Sequence, residues 1–157
     1  MLPDNLKQNS IALAVEGFDA DAIKGGKIDR GEITLEIAAA KIASICGLLK
    51  YERSFVRLST VTAVDWYPSE PRFEVVYHLH SVEHNLRVRL KCRLPGEDPV
   101  IESVTGVWQG ANWYEREVFD LFGIKFLNHP DLRRIMLPED WEGYPLRKDY
   151  PVTGSRV

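Results

Sequence analysis

At 157 residues, 45% hydrophobic and 27% charged, the chain fits one domain, long enough to bury a core of its own. A formal net charge of −3 excludes a general pull toward nucleic acid or anionic lipid. Two cysteines, Cys46 and Cys92, stand far apart and outside any C-x-x-C; they suit reduced thiols in a core and are too few to hold an iron–sulfur cluster or a structural zinc.

The polar segment 1–10 reads as a frayed end or a lead-in. The apolar run 11–15 is far too short for a signal h-region or a membrane span, so the chain is expected to stay in the cytoplasm and to reach a membrane only by docking. Residues 11–18 form a short helix or strand, and periodicity does not decide between them. Gly25, Gly26 and Gly31 mark a turn region. Next, Ile33, Leu35 and Ile37 alternate with Glu32, Thr34 and Glu36 as in a half-buried strand. The period then changes: Ala38, Ile42, Ile45, Cys46 and Leu49 recur at helical spacing, giving an amphipathic helix over that strand. Residues 55–66, rich in Val, Thr and Leu, read as a second strand stopped by Pro68 and Pro71.

Residues 73–82 and 86–94 carry the clearest pattern. Phe73, Val75, Tyr77 and Leu79 point one way, and so do Leu86, Val88, Leu90, Cys92 and Leu94. A turn near Glu83 and His84 sets Phe73 opposite Leu94, Val75 opposite Cys92, Tyr77 opposite Leu90 and Leu79 opposite Val88. The outward partners are then Glu74 with Arg93, Val76 with Lys91, His78 with Arg89 and His80 with Arg87. A slip of one residue would bury four cations.

That outward stripe of Arg87, Arg89, Lys91 and Arg93 admits a nucleic-acid reading, but no aromatic residue interleaves it for base stacking. A solvated sheet face, or one bound by an acidic partner, is the preferred reading. His78 and His80, with His84 nearby, suit cross-strand polar contacts better than a zinc site. Dinucleotide, Walker, haem-attachment, zinc-protease and nucleophile-elbow motifs are all absent.

After a short extended piece at 100–107, Asn112 and Glu115 have capping-box spacing and Gly123 suits a C-terminal cap, which predicts a helix over 113–122. Tyr114, Val118, Leu121 and Phe122 form its buried stripe. Arg116, Glu117 and Asp120 share the other side, with Arg116 and Asp120 spaced for an i, i+4 pair. Glu115 reads as a half-buried capping and ion-pairing residue; a hydrolase built on Glu115 and Asp120 is the disfavoured alternative.

From residue 124 the chain shows neither helical nor strand periodicity and holds four of the nine prolines. It is nonetheless rich in Ile135, Met136, Trp141, Tyr144, Leu146 and Tyr150, set among Arg133, Arg134, Arg147 and Lys148. Aromatics, Met and Arg are enriched at interface cores, so this segment reads as a belt laid against another protein; the competing reading is that it wraps the chain's own sheet. The expected organisation is a single α+β domain over 1–123, with a mixed or antiparallel sheet and helices on one face. Residues 124–157 form an extended, partner-wrapping tail of the same domain.

Glu115, Arg116 and Glu117, then Asp120, Leu121 and Phe122, then His129, Arg133, Ile135 and Met136 resemble the signature of the C-type, thirty-kilodalton subunit of NADH:quinone oxidoreductase (respiratory complex I). PEDW at 138–141, PLRKDYP at 145–151, FEVVYHL at 73–79 and SVTGVWQGANW at 103–113 are also similar to that family. The resemblance covers about residues 32 to 151. It implies a peripheral-arm subunit without redox centres, on the cytoplasmic side of the bacterial inner membrane. Its docking partner would be above all the D-type, quinone-site subunit, with the B-type and I-type subunits as further neighbours. FMN, iron–sulfur clusters and quinone would belong to partner subunits, with no catalytic, cofactor or metal residues in this chain. Glu115, Arg116, Glu117, Asp120, His129, Arg133, Arg134, Trp141, Arg147, Lys148 and Tyr150 are then signature and interface residues. Related subunits also occur in energy-converting membrane hydrogenases, which is the alternative the resemblance leaves.

Overall fold

The computed structural model describes residues 2–153; the last four residues of the expected tail, 154–157, lie outside the described residues. Helix α1 spans Ser10–Phe18. A local cap decides helix over strand there, because the Asn9 side chain accepts hydrogen bonds from the Ile11 and Ala12 amides at 3.0 and 3.1 Å.

Strand β1 (Ile23–Asp29) follows and pairs antiparallel with β2 (Glu32–Ile37). This corrects the reading of Gly25 and Gly26 as turn residues. The turn is at Arg30 and Gly31, whose φ values are 53° and 82°, whereas Gly26 is needed for close approach: a Cβ there would sit 2.5 Å from the Thr34 carbonyl and 2.9 Å from Leu6. Gly26→Ala is therefore expected to cost about 1–3 kcal/mol by overpacking. Its urea midpoint should fall at unchanged slope, and an unchanged midpoint would mean that β1 shifts freely off β2.

Helix α2 (Ile42–Arg53) is preceded by a single 3₁₀ turn at Ala39–Lys41 and buries Ile42, Ile45, Cys46, Leu48 and Leu49. Strands β3 (Arg57–Asp65), β4 (Phe73–Ser81) and β5 (Leu86–Leu94) complete a five-stranded sheet in the order β1-β2-β5-β4-β3. Every β4–β5 pair anticipated from the sequence is present. β2 runs parallel to β5, pairing Ile33 with Val88 and Leu35 with Leu90, so the sheet is mixed. Its inward side chains and the buried sides of all three helices share one core, as the α+β expectation required.

The other face of the sheet carries the polar partners. Glu74 there pairs with both Lys91 (3.1 Å) and Arg93 (3.4 Å), and Glu32 pairs with Arg89 at 3.4 Å. Arg93 also lies over the Trp66 ring at 5.5 Å, an aromatic neighbour that the alternation of β5 alone does not reveal.

β6 (Val100–Glu102) falls within the extended piece expected at 100–107. It pairs in parallel with β7 (Lys125–Leu127), a strand too short for a period to register in the segment read as aperiodic. Between them runs α3 (Ala111–Phe122). No helix among the described residues is long and apolar enough to cross a membrane.

Candidate docking surface

Helix α3 begins at Ala111 behind Gly110, with no side-chain cap. Asn112 is therefore the second residue of the helix and Glu115 the fifth, both two positions too deep for a capping box. Glu115 is fully buried, which corrects the half-buried capping role. Ser103 Oγ donates to its Oε2 at 2.6 Å and the Val104 amide donates to Oε1 at 2.7 Å. Burial outweighs these two donors and pushes the carboxyl up to about 7.

The His129 side chain lies beside it, with Nε2 3.9 Å from Oε2. His129 Nδ1 accepts from the Asp131 amide at 3.0 Å, and Nε2 faces the Asn112 carbonyl at 3.3 Å. Burial lowers the imidazole below its ordinary range, so the ring is neutral with its proton on Nε2, and no Glu115–His129 ion pair forms at neutral pH. The site is a structural peg: it ties α3 to the loop after β6 and to the start of the tail.

Asp120 does a different job. It is fully buried, and its Oδ2 accepts from three consecutive amides, Ile135 (3.1 Å), Met136 (2.7 Å) and Leu137 (2.9 Å). Its Oδ1 accepts from Arg134 at 2.7 Å. Burial works to raise this carboxyl, but Arg134 and the amides override it and hold it below the ordinary carboxylate range. Arg134 in turn donates to the carbonyls of Asp120, Trp141 and Gly143 and stacks on Tyr144.

The anticipated Arg116–Asp120 pair is not made, because both side chains serve the tail. Arg116 donates to the carbonyls of Arg133 and Arg134 and lies over Trp113. A chain without secondary structure needs such side-chain partners for its amides and carbonyls. Glu117 is exposed and takes no part, and Arg133 pairs on the surface with Asp131 at 2.8 Å.

A second clamp holds the far end. Arg72 is buried and forks onto Asp65, with both bonds at 2.8 Å, and onto Asp149 at 2.8 and 3.2 Å. The Lys148 amide joins Asp65 at 2.8 Å. The Arg72 guanidinium holds Asp65 far below the usual carboxylate range. Arg147 donates to the Phe122 carbonyl at 2.6 Å and lies over the Phe73 and Tyr144 rings. Gly123, the anticipated C-terminal cap at φ 75°, leaves room for this, since a Cβ there would lie 2.6 Å from Tyr144 and 2.7 Å from Arg147.

Asp65, Arg72 and Asp149 were not among the sequence-derived candidates. The self-wrapping alternative thus describes one side of the tail, on which Trp141 and Tyr150 are half-buried. The opposite side presents Met136, 63% exposed, and Leu146, 51% exposed. Among the described residues, no three His, Cys, Asp or Glu side chains gather as a metal site.

Fold and site together define an α+β scaffold that displays a proline-rich arm, fixed at both ends by buried carboxylate–arginine clamps. The chain belongs to the family of the 30 Kd subunit of the respiratory-chain NADH dehydrogenase, whose family model matches residues 35–156. It is 51% identical to the C-type subunit of the NADH-quinone oxidoreductase of Geobacter sulfurreducens, over 80% of this chain and 78% of that one. It is 43% identical to the corresponding subunit from Geotalea uraniireducens, over 98% and 93%, a match that takes in residues before the family model begins. Its fold is also similar to a chain of a membrane-bound sulfane sulfur reductase, an archaeal respiratory membrane complex. That match has a TM-score of 0.78 and 31% identity, covering 90% of this chain and 84% of that one.

Proposed function

We propose that this chain is the non-redox docking subunit of a proton-translocating NADH:quinone oxidoreductase. Its arm lies on the D-type, quinone-site subunit, with the B-type and I-type subunits as further neighbours. It supports electron transfer from NADH, through FMN and iron–sulfur clusters of partner subunits, to quinone. It sits on the cytoplasmic side of the bacterial inner membrane and meets that membrane only through the complex. The observation that carries this reading is the arm itself: inward charges fix its shape while Met136 and Leu146 stay exposed. Exposed apolar side chains on a backbone held in this way enter a partner groove at little entropic cost.

Met136→Asp combined with Leu146→Asp tests it. Two centrally placed anchors are worth about 2 kcal/mol each, so recovery of the quinone-site subunit with the tagged chain should fall at least tenfold, while the melting temperature of the isolated chain holds. Undiminished recovery of the quinone-site subunit would refute the role assigned to the arm. The second reading, an equivalent subunit in a related membrane complex, is favoured by the likeness to the sulfane sulfur reductase chain. The electron donor oxidised by the complex that co-purifies with this chain discriminates the two.

A further inference from the structure

The open face of the sheet holds a charge arrangement that the arm does not use. Arg57 on β3 pairs with His80 on β4, and His80 pairs with Arg87 on β5, so the three form one transverse row on one face. Adjacent strands lie about 4.8 Å apart, which puts the two arginine Cα positions roughly 10 Å from each other with the imidazole between them. The row lines a cleft of 430 Å³.

The acids within reach are already engaged, Glu32 with Arg89 and Glu74 with Lys91 and Arg93. No carboxylate among the described residues pairs with Arg57 or Arg87. His80 Nε2 is buried and has no hydrogen-bond partner among the described residues. Like charges sharing a strand row repel unless an anion joins them.

We propose that the Arg57–His80–Arg87 row receives a carboxylate from an acidic segment of a partner polypeptide, making the open sheet face a second docking surface. The proposal rests on the reading of the chain as a docking subunit. The two guanidiniums, on either side of the imidazole, supply the planar, multidentate donor set that one Asp or Glu side chain satisfies. Nucleic acid fits less well, because no Phe, Trp or Tyr lines the cleft and stacking would be missing. An anionic lipid surface calls for a cluster of about four to eight free cations, and this row supplies two.

The test uses the complex isolated from membranes through a tagged full-length chain, with Arg57→Lys or Arg87→Lys introduced. These variants keep the charge and add an amine. A water-soluble carbodiimide, which condenses that amine with a neighbouring carboxylate, is expected to link each variant to an Asp or Glu of another subunit, read by peptide mass spectrometry and absent from the unsubstituted complex. Arg57→Glu with Arg87→Glu should lower recovery of that linked subunit at least tenfold without moving the melting temperature of the isolated chain.

A complex recovered intact but without such links, or with links only to Glu32 of the same chain, overturns the site and leaves the arm reading standing. Failure to recover any multisubunit complex overturns both. Low-salt binding of a fluorescein-labelled oligonucleotide, or of phosphatidylserine vesicles, that is lost in Arg57→Ala with Arg87→Ala would replace the polypeptide occupant with a phosphate and overturn the proposal.

Discussion

Asp120→Ala is expected to free the part of the arm around residues 134–137 from the domain while leaving the sheet and its core folded and the far clamp in place. The substitution removes the acceptor of the three amides at Ile135, Met136 and Leu137 and of the Arg134 guanidinium. The Arg134 side chain is only 12% exposed, so it loses its counter-charge while still largely out of water. Removing one member of a buried pair costs about 3–5 kcal/mol. The separate bonds act as a unit, so their energies do not add on top of that figure.

That part of the arm can relieve the strain by lifting into solvent, where water satisfies its amides. The loss should therefore appear as local opening, with little change in global unfolding. Amide hydrogen exchange at residues 135–137 should accelerate by roughly a hundredfold to a thousandfold, at about 1.4 kcal/mol per factor of ten. The amides of β4 and β5 should hold their rates. Asp120→Asn keeps an acceptor oxygen without the charge and should fall between. Recovery of the quinone-site subunit should drop with Asp120→Ala as steeply as with Met136→Asp and Leu146→Asp together. Unchanged exchange at 135–137 would show that this carboxylate does not hold the arm.

The arm illustrates where a sequence stops being readable. The β4–β5 register was legible because two independent patterns, apolar inside and opposite charges outside, agree on a single alignment. The Gly123 cap was legible from local chemistry. Asp120 was visible as a signature residue, but its partners lie up to 17 residues away and sit in a segment without periodicity. Arg72 and Asp149 meet across 77 residues, and no local rule joins them.

The capping-box reading of Asn112 and Glu115 failed for a related reason. The spacing was right, but the helix starts earlier, and a shift of two residues turns a surface cap into a buried acid. Gly25 and Gly26 read as turn residues because a sequence does not distinguish a glycine needed for a turn from one, such as Gly26, that lets a neighbouring strand's carbonyl come close. The expectation of a partner-facing arm came from the aromatic, Met and Arg content of the segment after residue 124, and the identity of its partners from the family resemblance; overall composition and net charge were silent about both.

Glu115→Gln is expected to stabilise the domain at alkaline pH and to leave it nearly unchanged near pH 5. Burial raises this carboxyl from its ordinary 4.5 to about 7, so across that window the folded chain holds a proton that the unfolded chain has released. Stability therefore falls as pH rises from about 4.5 to about 7, and the whole penalty is present above that range. Its size is on the order of 3 kcal/mol at about 1.4 kcal/mol per tenfold.

The lowered carboxyls act with the opposite sign. Asp65, Asp120 and Asp149 stabilise the fold above the ordinary carboxylate range, and that contribution is lost as pH falls into and below it. His129, also lowered, resists protonation and destabilises the fold below its ordinary range; it does so in both proteins and so largely drops out of their difference. Gln keeps the geometry, since its carbonyl accepts from the Val104 amide while its NH₂ donates to Ser103 Oγ, which turns its own proton to Thr105, 2.8 Å away. Urea midpoints at pH 5 and pH 8 for the two proteins give the measurement, with the gain confined to the higher pH. An equal loss at both pH values would mean that the ionised carboxylate is well solvated by its donors and that burial does not govern this site.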